Sequence, residues 1–566
     1  MREAFQLFGP VRSYVMGPAP VLARLIDELK WVEIIDEFVP RPDSKLSIGL
    51  RTKALLVNIG TNREALYRVE EFYAQRDVEV LLGNGVSADD LHDDALARAL
   101  DALYDAGLEA LYARIALHTL RRLRVLSDSN ELIPIHADTT SLSVTGEYLD
   151  QTAFRIDRGF SKDHRPDLKQ IVFGLCTVHG LGLCANVNPG NLDDHTWNFE
   201  NIQQLLSQLD EETRKRSVYV ADAALVTKDN LELLAEEDIH FISRLPGTYK
   251  LSEDLKRAAW EKENSWKEVG RLAEAEDSAH YRIQAFRRTL YGRTYRFVVV
   301  RSSSLDTRKE RKLEEVLKRE KAALEKAAKA MNQNVYSCEQ DAQMAMQTFM
   351  HEHRATLHPI SARICAEQVQ EKRARRGRPR KDDPPPPVHT QYRVEVEILP
   401  PSEERVQQWR EKEATFVLIT DIRDDQRVSD EQILRLYKEQ HEVEARFRYL
   451  KSPYHVGPIY LHKPTRVKAF GFVMLLSLLL YSVLEYLIRE KMKRETEPLM
   501  LPGKRKSFRP TGLAILEMLD GMTTVHMQVG DTWQRVPATP HNPQIMRVLK
   551  LLNMDLSIYT EAQKTA

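Results

Sequence analysis

Four cysteines in 566 residues are too few and too scattered for a disulfide framework, and Cys176, Cys184, Cys338 and Cys365 lack the close pairing of zinc sites. That usage suits a reducing cytoplasm. A charge surplus is missing too, the formal net charge being −1. No global basic excess is there to hold nucleic-acid phosphate, so any such contact has to come from local patches. Long hydrophobic runs are absent. The most apolar stretch, Ala469 to Leu484, contains Ser477 and Ser482 and falls short of the roughly 20 residues a bilayer demands, so it reads as a buried helix and no membrane is expected. The first residues, MREAFQLFGPVRSYV, hold no uninterrupted apolar core followed by a small-residue cleavage site, so export is not expected.

What is present is globular in character: 42% hydrophobic and 29% charged residues argue against a disordered or fibrous chain. The length exceeds what one core usually serves, and two to four structural units are expected. From Pro20 to Leu126 apolar residues recur at helical spacing, as in Val21, Leu22, Leu25, Ile26 and Leu29, so residues 1–130 read as an all-α N-terminal domain. Within Ser47 to Tyr73 a helix-turn-helix and a plain helical bundle both fit. After Asn130 the pattern turns to β-rich runs, IPIHADTTSLSV, QIVFGLCTV and LCANV, the last two joined by a turn at His179-Gly180-Leu181-Gly182. Phe199 to Leu209 then reads as a helix, SVYVADAAL as a buried strand, Asn230 to Ala235 as a helix and IHFISRLP as a strand. Strands followed by alternating helices and strands make an α/β core.

Beyond Pro246, candidate strands RIQAF and TYRFVVVRS precede a charged helical stretch from Asp306 to Ala330. Residues 371–390, EKRARRGRPRKDDPPPPVHT, join a basic cluster to four consecutive prolines that cannot pack as a regular element, and read as a flexible linker or a DNA-contacting arm. Order resumes with YRVEVEIL and FVLIT, a helix from Asp430 to Lys451, and the buried helix near Phe472. The α/β core is thus split into residues 131–246 and 412–490 by an insertion at 247–411. Residues 491–566 read as a helical C-terminal region, open to dimerisation or DNA contact.

Three carboxylates stand out. Asp138 lies in a strand where Ile133, Ile135 and Ala137 alternate with polar positions, which places it with His136 on the opposite face. Asp222 ends the strand Val218-Tyr219-Val220-Ala221, at the carboxyl edge where α/β sheets build their sites. Each has a plainer reading as a cap on the following turn. Hard cations take carboxylate oxygens, and two-metal phosphoryl chemistry gathers acids from several elements, so a third is required. On the helix after Asp430, at about 100° per residue, Tyr437, Gln440, Glu444, Arg448 and Lys451 fall within one stripe beside the apolar Leu436, Val443 and Phe447. Glu442 points about 160° away from Glu444 by the same count. An exposed helix with a Glu444–Arg448 pair fits the same pattern.

At this point the chain resembles the DDE transposases of bacterial insertion sequences whose third-acid helix carries Tyr-x2-Arg-x3-Glu-x6-Lys, the YREK signature. Here it reads Tyr437-x2-Gln440-x3-Glu444-x6-Lys451, with Gln440 in place of the arginine and one charged DNA contact fewer. HADTTSLSVTGEY around Asp138, GFSKDHRPDLKQIVFGL after it, and YVADAALVTKDNLELL around Asp222 resemble the family's other acidic motifs. The resemblance implies a ribonuclease H-like catalytic core, split between the second aspartate and the glutamate by a β-rich and helical insertion. It implies a catalytic, metal-binding triad of Asp138, Asp222 and Glu444, with two Mg2+ ions per site and Mn2+ able to substitute. DNA contacts would come from Tyr437, Gln440, Arg448, Lys451 and Arg244, the last also open to a structural ion pair. Arg376-Gly377-Arg378-Pro379 matches the core of an AT-hook, which lays arginines in the minor groove of A·T-rich DNA. The implied partners are double-stranded DNA, as terminal inverted repeats and target, and a second copy of the chain in a synaptic complex at the bacterial nucleoid. A nuclease without strand transfer and an inactive DNA-binding derivative are the alternatives.

Overall fold

The alternating apolar runs after Glu131 become the sheet on which the molecule is organised. The computed structural model describes residues 11–40, 44–126, 131–149, 152–162, 165–272, 278–304, 307–370, 387–452, 459–529, 532–538 and 542–562. The chain divides into two compact units, one of Met1–Pro246, Thr289–Tyr295 and Ile419–Ala566, the other of Gly247–Arg288 and Arg296–Leu418.

The first unit starts with a short strand, β1 (Val11–Val15), and continues with helices from Ala19 to Arg122. Their apolar stripes are buried, Leu22, Leu25 and Ile26 among them, and Trp31 donates to Thr119 Oγ1 at 3.0 Å. The sheet follows with β2 (Ile133–Val144), β3 (Lys169–Val178), β4 (Leu181–Pro189), β5 (Ser217–Ala221) and β6 (His240–Arg244). Their spatial order is β4-β3-β2-β5-β6, antiparallel from β4 to β2 and parallel from β2 to β6. His179 and Gly180, at φ 50° and 73°, supply the two positive φ values of the tight turn between β3 and β4.

Adjacent residues of β3 mark the two covered faces. Phe173 and Val187 meet Gly471 of the helix Pro464–Met492, where an added Cβ would lie 3.1 Å from each. Gly174 lies under Trp197 of the helix Asp194–Gln208, where a Cβ would come within 2.1 Å of the indole nitrogen. Pro464–Met492 is long and apolar enough to cross a membrane, and 94% of its most apolar window is buried.

Largely in the second unit, β7 (Lys267–Arg271), β8 (His280–Leu290) and β9 (Arg293–Ser302) are neighbours, the end of β8 and the start of β9 belonging to the first. A 27-residue helix, Thr307–Gln333, and the helix Glu339–Glu352 pack on a hairpin of β10 (Ile360–Gln370) and β11 (Val388–Ile398). Met331, Ala342, Phe349 and Val394 are the buried centre of this packing. Val388–Thr390, expected in the linker, instead extend β11, opposite Gln368–Gln370. The chain returns to the first unit within β12 (Phe416–Thr420); Thr420 Oγ1 donates to Phe241 O at 2.6 Å and Phe241 N–H to Asp421 at 2.8 Å.

Two expectations change here. The C-terminal region is not simply helical: it holds β13 (Leu499–Leu501), β14 (Arg505–Ser507), β15 (Thr523–Val529) and β16 (Thr532–Ala538) beside two helices, Gly512–Leu519 and Pro543–Leu551. Nor are residues 1–130 all-α and separate. β1 pairs antiparallel with β15, Val11 opposite Met527, and the helices cluster with the sheet, Tyr112 meeting Phe472 edge to face at 6.4 Å. A lone five-residue strand needs a partner for its backbone groups, and that partner lies at the far end of the sequence.

Candidate active site

Strand register brings two acids together. β2 and β5 run parallel with Ile135 opposite Tyr219 and His136 opposite Val220. Two further residues along each strand set Asp138 beside Asp222, and neighbouring strands lie about 4.8 Å apart. Burial pushes the Asp138 carboxyl up to about 6; Lys162 and the Thr139 N–H, at 2.7 Å, draw it down, and the charges of Asp222 and Asp194 raise it. Asp222 is raised as well, first by burial, with Asp194 adding repulsion and the Ala224 N–H opposing it. Asp222 also caps the next turn, Oδ1 accepting that N–H at 3.0 Å, so the capping and chemical readings coexist.

The third-acid segment is not one helix. It forms Asp430–Lys438, begun by a Ser429–Gln432 capping box, and His441–Leu450. Between them the Gln440 N–H donates to Tyr437 O at 3.3 Å and the Glu442 N–H to Glu439 O at 2.9 Å, tighter i to i−3 bonds than an α-helix makes. An angle counted across this joint does not hold. Gln440, assigned to DNA contact by the signature, turns inward: it is 9% exposed and its amide reaches Ala137 O at 3.5 Å. The helix His441–Leu450 packs on β2 and β3 through buried Val443 and Phe447. Glu444 is exposed, whereas the Glu442 carboxylate lies beside Gly180 and the Arg446 guanidinium.

Tyr437 ties the remaining residues together. Its phenol is pushed up to about 12, chiefly by burial, with Arg244 drawing it down and Asp222, Glu444 and Asp138 raising it. Asp138, Asp222, Glu444, Tyr437 and Arg244 thus share one electrostatic neighbourhood. Arg244 is exposed at the end of β6, Arg448 is exposed on its helix, and Lys451 closes that helix with its N–H on Phe447 O at 2.9 Å. Arg376 and Arg378, with the AT-hook reading, lie outside the described residues.

The donors suit a hard divalent cation, being carboxylate oxygens from the middle of β2, the end of β5 and a helix. Burial first, with repulsion from neighbouring acids, holds up the two strand acids, and a cation relieves that cost. Among the described residues, the oxygens of Asp138, Asp222 and Glu444 do not all come within 4.8 Å of one another; His92, Asp93 and Asp94 do, at the exposed start of a helix.

Sequence reasoning missed Asp194, Lys162 and Thr139. Asp194 opens the helix Asp194–Gln208 behind its cap Asp193, and its carboxylate accepts from Thr139 Oγ1 at 2.5 Å. Lys162 Nζ lies 3.6 Å from both Asp138 and Asp194. The pair Asp193-Asp194 was the available signal, since a cap needs only one of them.

Residues 137–480 match the family described as Transposase DDE domain, and residues 14–117 match Domain of unknown function (DUF4277). No curated protein matches. Among solved structures the chain is similar to a piggyBac transposase synaptic complex with hairpin DNA, determined by cryo-EM, at 9% identity and a TM-score of 0.36, over 89% of this chain and 79% of that one. That likeness is too slight to align residues. The DDE match spans more than half of the sequence and includes all three candidate acids, and the chain belongs to the transposase DDE domain family.

Proposed function

We propose that the chain is the transposase of a bacterial insertion sequence, of the branch with a YREK-type signature and a ribonuclease H-like core, acting on its own terminal inverted repeats. One observation carries this reading: the parallel register that sets Asp138 beside Asp222, next to a helix bearing Glu444. When bound to these three residues, two Mg2+ ions, or Mn2+, would stabilise the attacking and leaving oxygens of phosphoryl transfer. The chain's own groups do the rest. The strands hold Asp138 and Asp222 fixed, and Asp138 would serve as a ligand in its ionised form. Arg244 and Tyr437 line the same neighbourhood and, with Arg448 and Lys451, would take DNA phosphate. Residues 1–130 would bind the DNA end, residues 247–411 would form the insertion, residues 491–566 would serve dimerisation or DNA contact, and the working form would be a homodimer at the cytoplasmic nucleoid.

The test incubates the purified protein with Mg2+ and the repeats that flank its gene, then maps the products. Cleaved ends joined to target DNA support the reading. Cleavage without joining points to a nuclease, and binding without cleavage to an inactive derivative.

A further inference from the structure

Lys162 lies where a cation belongs. It follows the loop after β2, and its own N–H donates to Ser141 Oγ at 2.9 Å, which fastens the loop to that strand. Its ammonium donates to Thr139 O at 2.7 Å and Thr139 Oγ1 at 2.8 Å. Thr139 is buried, and its hydroxyl proton is directed at Asp194, so the lone pairs face Lys162. The paired residues of β2 and β5 end at His136 and Val220, and just beyond them the ammonium takes the β2 carbonyl. The ammonium also lies 3.6 Å from carboxylate oxygens of both Asp138 and Asp194.

We propose that Lys162 is a built-in counter-cation of the active site, a positioning residue that holds Asp138 and Asp194 together until a divalent ion takes over Asp138. The inference rests on the metal reading above. A compact +1 charge beside two carboxylates preorganises them, and it also competes with any ion that binds Asp138. An ordinary structural salt bridge would stabilise the fold without setting metal affinity, and this separates the two roles.

The experiment titrates the full-length protein with Mn2+ in the absence of DNA and follows unbound Mn2+ by electron paramagnetic resonance, with thermal melts beside it. Lys162→Gln is expected to bind Mn2+ several-fold more tightly than the parent, because the competing charge is gone, and Lys162→Arg to bind like the parent. Asp194→Asn leaves the ammonium on Asp138 alone and is expected to weaken binding several-fold. Unchanged or weaker binding by a folded Lys162→Gln overturns the proposal. Should that variant fail to fold, unchanged binding by Asp194→Asn overturns it equally. Binding that Asp138→Asn leaves intact, or none in the parent, overturns the metal reading and takes this inference with it.

Discussion

In the first unit one cluster of ion pairs is sealed inside. Glu485, 4% exposed, meets Arg446 and Arg489 at 2.8 Å each, accepts the Gly512 N–H at 2.9 Å, and Arg446 also donates to Gly180 O. In the second unit two pairs lie in water: Arg363 and Glu395, across β10 and β11, have side chains 78% and 49% exposed, and Arg319 and Glu315 are 83% and 68% exposed, whereas Arg301 and Glu411 are largely buried. Buried charges with every partner in place hold backbone elements in one arrangement, while solvated pairs leave theirs adjustable. A site that must keep acids from two strands and a helix in register needs the first kind of support, and all the candidate acids lie in the unit that holds the buried cluster.

The sharpest way to break this contrast is to remove one acid from each unit. Glu444→Gln keeps shape and loses the anionic ligand, so Mg2+-dependent cleavage is expected to fall by more than the roughly 10–100-fold that losing an outer partner of a metal ligand costs. Glu442→Gln and, in the second unit, Glu395→Gln are expected to stay within a few-fold of the parent in the same gel assay. Loss of cleavage in Glu395→Gln would place chemistry where none is assigned.

Stability offers the next comparison. Glu485→Ala strands two arginines, one of them buried, and is expected to cost about 3–5 kcal/mol in urea unfolding. A loss near zero would show that the interior of the first unit is as adjustable as the surface of the second.

The acids themselves predict a pH dependence. Folding raises Asp138 from 3.8 to about 6, so between these values the folded protein keeps a proton that the unfolded chain has lost. Stability of the metal-free protein should therefore fall as pH rises through that window, seen as a declining melting temperature. Asp138→Asn is expected to flatten the decline, as is saturating Mg2+, which favours the ionised carboxylate. A melting temperature that rises over the window in the parent would contradict the burial of Asp138.

On DNA, Arg376→Ala with Arg378→Ala is expected to weaken binding and to lower the salt slope by about 2, two phosphate contacts being lost. An unchanged slope marks the segment as an idle linker. The smallest effect belongs to the exposed pair: Arg363→Ala is expected to leave the urea-unfolding midpoint essentially unchanged, and a clear loss would mean the hairpin of the second unit depends on it.

Period-2 patterning made the strands of the first unit readable, and strand alternation at Asp138 and a strand end at Asp222 drew attention to both before any register was known. The third-acid helix was read correctly for Val443 and Phe447, which are buried, and wrongly for Gln440. A uniform 100° step assumes an unbroken helix, and the tight turn at Glu439–Gln440 breaks it. Local sequence does not announce such a joint.

By itself, the sequence determined which segments alternate as strands, which helix is apolar enough to be buried, and at what spacing Tyr437, Glu444 and Lys451 follow one another. These are local properties of side-chain pattern. Tertiary structure alone decided that β1 closes on β15, that Gln440 faces inward, and that Lys162 and Asp194 meet at Thr139, 23 and 55 residues away in the chain. Each depends on where packing brings distant backbone, and no local periodicity encodes a contact across that distance.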